Sequence, residues 1–160
     1  MRSTRRMVAL AGLLAAWTAA LHADGGHGRD AQEDRRLALA LSAREKNFIL
    51  TEMRQFLSAT QRILQASLDN DMPAVAEAAR SVGLAAHRAD FADQDSIVNG
   101  IRRKAPKEFL PLGKAAHAAF DEIADIAVQI GDRETVQRRL AENLGRCLAC
   151  HAAYRIADAP

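Results

Sequence analysis

Aromatic side chains make up only 4% of this 160-residue chain, and valine and isoleucine are sparse beside alanine and leucine. That scarcity works against sheet, because Ala, Leu, Glu, Arg and Gln lose little freedom in a helix while sheets favour branched and aromatic residues. No glycine-rich phosphate loop occurs, and no repeat recurs at solenoid periods. No general acid–base pair stands out, so nothing argues for an enzyme. There are two cysteines in all, Cys147 and Cys150. There is no second C-x-x-C and no H-x-x-x-H, so a four-ligand zinc site lacks its ligands. A disulfide closing so small a loop would staple almost nothing. The length suits one domain with a real core and not two.

The N-terminus reads as a leader. Arg2, Arg5 and Arg6 form a basic start, residues 7–21 are uncharged and mostly apolar, and Leu21-His22-Ala23 offers a cleavage site. This is the layout of a secretory signal peptide over 1–23. The apolar run falls short of the roughly 20 residues of a spanning helix, so an uncleaved anchor is the weaker alternative. No cysteine follows the run to take a lipid. The expected location is therefore the periplasm, with no stable membrane anchor. The whole chain carries 22 basic and 20 acidic residues, net +2. Losing the leader's three arginines leaves −1, which gives no reason to expect nucleic acid as a partner.

Residues 24–41 read as a flexible lead-in, with Gly25, Gly26 and Gly28 among charges. Its last stretch, residues 37–41, alternates leucine and alanine, which fits strand or helix, and is expected as an apolar lead-in packed on the bundle. Residues 42–160 form the expected domain. Ser42 and Glu45 have capping-box spacing. Ile49, Met53, Phe56, Leu57, Thr60, Ile63, Leu64 and Leu68 then recur at three and four. Asp71 caps a second helix, tolerates Pro73 in its first turn, and leads on to about Arg88. Periodicity weakens over 89–105, with Asn99-Gly100 as a turn signal. Pro106 and Pro111 mark the entry to a third helix, whose apolar face runs from Leu112 to Ile130 and which Gly131 ends. Asp132 caps a fourth, with Val136, Leu140, Leu144, Cys147, His151 and Tyr154 on one face. The expected fold class is all-α, an antiparallel four-helix bundle.

Cys147-Leu148-Ala149-Cys150-His151 is C-x-x-C-H, the attachment motif of c-type haem. On a helix, residues three and four apart share a face. Two sulfurs can then meet the two haem vinyl groups while the imidazole reaches the iron from the same side as proximal ligand. Haem would also fill a core poor in aromatics. A redox dithiol without haem, or another metal site, shares the bare C-x-x-C.

The run from Cys147 through His151 to Ala152-Ala153-Tyr154-Arg155, near the end of a four-helix chain, resembles the cytochrome c′ and cytochrome c-556 family. The resemblance covers residues 42–156 and is most specific at the C-terminal run. It implies one covalent haem c near one end of the bundle, held from the last helix. It also allows a homodimer. Members similar to c-556 carry a distal Met in the first helix and transfer single electrons. Members similar to c′ leave the iron five-coordinate and bind nitric oxide or carbon monoxide.

Met53 is the candidate distal ligand. It lies about 10 residues, or roughly 15 Å, inside helix one, and His151 lies within a turn or so of that depth from the far end of helix four. The bland alternative for Met53 is core filling. Met72 falls at the opposite end. His117, in helix three, is the alternative distal ligand, or a partly buried His bonded to a neighbour or a propionate. His87 ends helix two and is expected exposed; His22 and His27 belong to the leader and lead-in. Tyr154 is expected to pack on the haem edge or the core, and Arg155 either to pair with a propionate or to stand solvated at the end of the helix. Arg102, Arg103, Lys104 and Lys107 form either a solvated loop or a docking patch for an acidic redox partner.

Overall fold

The structure is a computed structural model that describes residues 33–93 and 95–158. The leader and most of the lead-in, with His22 and His27, lie outside the described residues. The chain divides into residues 1–34 and a compact unit of 35–160. The second unit is mostly helical. Its elements are β1 (Leu37–Leu41), α1 (Ala43–Leu68), α2 (Met72–Arg80), α3 (Arg88–Ala92), α4 (Ile97–Arg102), α5 (Phe109–Gln129), α6 (Arg133–Ala153) and β2 (Tyr154–Asp158). Among the described residues, no helix is long and apolar enough to cross a membrane.

Local chemistry sets the helix starts. The Ser42 hydroxyl accepts from the Glu45 amide while the Glu45 carboxylate accepts from the Ser42 amide, a complete capping box. Asp71 and Asp132 cap α2 and α6 by accepting from the amides of Ala74 and Thr135. Gly131, at φ 69°, takes the left-handed turn between α5 and α6. α1 packs on α2, α2 on α5 and α5 on α6, and α6 returns to α1 over a smaller contact. The main core lies among these four, around Ile63, Val75, Phe120, Ile123, Val136 and Leu140. Small residues such as Ala78, Ala79 and Ala124 are fully buried there and let the helices approach closely.

The structure departs from the sequence reading in four places. The second helix stops at Arg80 rather than near Arg88. The Ser81 hydroxyl turns back to the Ala78 carbonyl at 2.7 Å, and the Asp121 carboxylate accepts from the Ala85 amide at 3.1 Å, so side chains take over from the helical ladder. Asn99-Gly100 sits inside α4 and is not a turn. Ser96 caps that helix at the Asn99 amide, and the Asn99 side chain donates to the Asp93 carbonyl. The end of the expected lead-in is strand β1, which buries Leu39 and Leu41. Tyr154 leaves the last helix and opens β2. Its backbone is extended, and β2 pairs in parallel with β1, Leu37 opposite Tyr154 and Leu39 opposite Ile156. A two-stranded sheet is marginal alone; here Leu39, Leu41, Ile101, Tyr154 and Ile156 share a second apolar cluster beside Phe48, Ile49 and Phe109.

Candidate functional site

The first half of α1, the start of α5, the end of α6 and the small sheet surround a cavity of about 380 Å³. That is within the usual range for small-molecule and cofactor sites. Phe48, Ile49, Met53 and Phe56 line it from α1, Phe91 from α3, Val98 and Ile101 from α4, and Phe109 and Leu110 from α5. Cys150 and His151 enter from the last turn of α6, and Tyr154, Arg155 and Ile156 from β2. Most of the chain's few aromatic side chains are therefore spent here. Gly113 also borders the cavity, and a Cβ built there would meet nothing within 4 Å.

Met53, His117, Cys150, His151, Tyr154 and Arg155 thus border one space. Cys147 is half-buried one turn earlier on α6 and is not part of the cavity wall. Arg36 donates to the His151 carbonyl at 3.3 Å, tying the chain ahead of β1 to the end of α6. Tyr154 packs edge-on against Phe109, with ring centres 5.4 Å apart. Arg36, Lys114 and Arg155 bring three cations to an otherwise largely apolar lining. Burial pushes the thiols of Cys147 and Cys150 above the usual thiol range, and Cys147 adds to the rise at Cys150. Redox-active cysteine pairs need the opposite shift.

The cavity also holds a polar group of which the sequence marked only His117, expected as a partly buried His bonded to a neighbour; Glu52 and the burial of His87 were not foreseen. His117 is buried, and its Nδ1 lies 2.8 Å from the Val82 carbonyl. A carbonyl only accepts, so Nδ1 carries the hydrogen and Nε2 is bare in the neutral ring. Glu52 Oε2 stands 3.4 Å from that Nε2 and 3.8 Å from His87 Nδ1. Asp90 Oδ2 lies 3.3 Å from the same His87 nitrogen. Contrary to expectation His87 is not exposed: its side chain is 16% accessible, and its ring centre is 4.7 Å from that of His117. The early end of α2 causes this, because the turn at 81–87 delivers both the Val82 carbonyl and His87. Burial raises the Glu52 carboxyl above its ordinary range, opposed by His87 and reinforced by Asp90. Burial also lowers His117, against the pull of its Val82 hydrogen bond. Among the described residues this is the one set of three His, Cys, Asp or Glu donor atoms lying within 4.8 Å of one another. Cys147, Cys150 and His151 do not converge in that way.

The basic cluster is partly committed. Lys104 Nζ binds both Glu45 carboxylate oxygens at 2.8 and 2.9 Å, Arg102 bonds Asn99, and Lys107 lies 3.8 Å from Glu108. Lys104 therefore ties the end of α4 to the start of α1. Comparison with family models, curated proteins and solved structures finds no match for this chain.

Proposed function

We propose that this chain is an exported monohaem c-type cytochrome that carries single electrons. In this reading α1, α2, α5 and α6 make an antiparallel four-helix bundle with the cofactor near one end. The observation that carries it is the meeting of Met53, Cys150 and His151 on one largely apolar cavity, in a chain whose C-x-x-C-H motif closes its last helix. The residues present suit the group. Cys147 and Cys150 would hold haem through thioethers, each made by adding S–H across a vinyl C=C, the hydrogen going to the neighbouring carbon. His151 and Met53 would supply ligands to the haem iron. When bound, the haem supplies reversible one-electron iron chemistry. The chain's own part is to exclude water with Phe48, Phe56, Phe109 and Leu110, and to meet carboxylates with Arg36, Lys114 and Arg155.

The donors of the motif do not gather around a point, as a zinc site would require, and their thiols are shifted against dithiol redox chemistry. The test is a mass and a spectrum of chain made with a working haem-ligation system. One haem should survive denaturation, and the spectrum should be low-spin. Met53→Ala should keep the haem, turn high-spin, admit carbon monoxide and lower the reduction potential. A chain that never retains haem would overturn the proposal. A wild-type spectrum already high-spin would remove Met53 and leave a gas-binding protein.

A further inference from the structure

The group at Glu52, His87 and His117 uses none of the residues that the proposed function gives to haem, and it brings two imidazoles and a carboxylate together from three parts of the chain. His117 offers a bare Nε2, because its Nδ1 hydrogen is spent on the Val82 carbonyl at 2.8 Å. Facing that lone pair at 3.4 Å is a carboxylate oxygen, a second group with lone pairs and no hydrogen when ionised. Either a shared proton or a bound cation can sit between them. His87 and a second carboxylate, Asp90, complete the surroundings.

We propose that Glu52, His87 and His117 form a binding site for one divalent first-row transition ion of zinc-like preference, separate from the haem iron. Two imidazoles and one carboxylate are the donor set of three-ligand zinc sites and of His₂-carboxylate iron sites. Metal–ligand bonds of about 2.0–2.2 Å arranged tetrahedrally put neighbouring donors roughly 3.3–3.6 Å apart. The 3.4 Å from His117 to Glu52 falls in that span, and the 3.8 Å from His87 to Glu52 lies just beyond it. The contact from His117 Nδ1 to a backbone carbonyl is the outer support that fixes a ligating imidazole. The supports come from three elements: Glu52 from α1, His87 from the turn before α3, and His117 from α5. Phe56 and Phe91 pack around the His117 ring, with centres at 4.6 and 6.0 Å. Glu52 and Asp90 together carry the charge a divalent ion would neutralise. A fourth position is left to a water.

The test uses the full haem-loaded chain, stripped with chelator and dialysed against Zn²⁺, with zinc and iron counted separately by mass spectrometry. One zinc per chain should be retained, and zinc should raise Tm, since an ion bound only by the folded state stabilises it. Glu52→Gln and His87→Gln should each weaken zinc binding about 100-fold or more. Folding of each variant is checked by circular dichroism. His87 lies at the rim of the group, so its variant keeps the test open if Glu52→Gln fails to fold. The Cys147→Ser/Cys150→Ser chain, which cannot attach haem, should still take zinc; this separates the two sites. Zinc lost with the cysteines, zinc retained equally by His87→Gln, or no retained zinc at all would each overturn the site and leave a proton-sharing group.

Discussion

The two ends of the helical layer are packed on different principles. Where α2 meets the later part of α5 and the start of α6, Ile63, Val75, Ala78, Ala79, Ile123 and Val136 are wholly inaccessible, and alanines bring the helices together. Around the first half of α1, the start of α5 and the end of α6, the same helices spread around a cavity, and Met53, Phe48, Phe109 and Tyr154 are only partly covered. One end is finished by small side chains packing on each other. The other is shaped by large side chains that pack around a space. Stability and function are thereby divided along the same helices, and substitutions at the two ends should differ in kind.

The largest contrast should come from truncating aromatics. Phe120 is 2% accessible and stacks on Phe56 at 5.3 Å. Phe120→Ala should cost about 3–5 kcal/mol in urea unfolding. Phe109→Ala, on the cavity wall, should cost clearly less; equal losses would show that the cavity end is as tightly packed as the core. Adding bulk should reverse the ranking of function against fold. Ala79→Leu has no room and should destabilise by about 1–3 kcal/mol. Gly113→Ala meets only open space, so it should leave stability unchanged or raise it by about 0.5–1 kcal/mol, while on the proposed haem reading Gly113→Leu should impair haem retention.

A smaller loss is expected at the start of α1, where Ser42→Ala breaks the capping box at a cost of about 1 kcal/mol. The subtlest effect is one of pH. Lys104 holds the Glu45 carboxyl down to about 2 from an ordinary 4.5; burial opposes this and the Ser42 hydrogen bonds assist it. A depressed carboxyl stabilises the fold fully above the ordinary value, and that contribution fades as pH falls from about 4.5 towards about 2. Glu45→Gln should therefore be less stable at neutral pH and should flatten the acid limb of a Tm-against-pH curve. An unchanged limb would mean that the Lys104 tie carries no stability.

Much of the helical framework was legible in the sequence. Ser42 with Glu45, Asp71, Gly131 and Asp132 each mark a helix boundary by chemistry that acts within four residues, so sequence alone displays them. The site was legible only where its residues form a motif, as Cys150 and His151 do, or sit at a countable depth, as Met53 does. What escaped depends on partners far along the chain. The end of α2 rests partly on Asp121, which binds the Ala85 amide from another helix. The burial of His87 depends on that break. Tyr154 keeps helical spacing with Cys147 and His151, and only pairing with β1 takes it out of the helix.

That pairing also sets an order of assembly. β1 leaves the ribosome first and β2 last, and Arg36 reaches a carbonyl 115 residues downstream. Contacts so distant in sequence pay the cost of closing a long loop before they are rewarded, whereas α1, α2 and α5 can settle by nearer contacts. Tyr154, Arg155 and Ile156 form a wall of the cavity, so that wall is put up after the rest of the room.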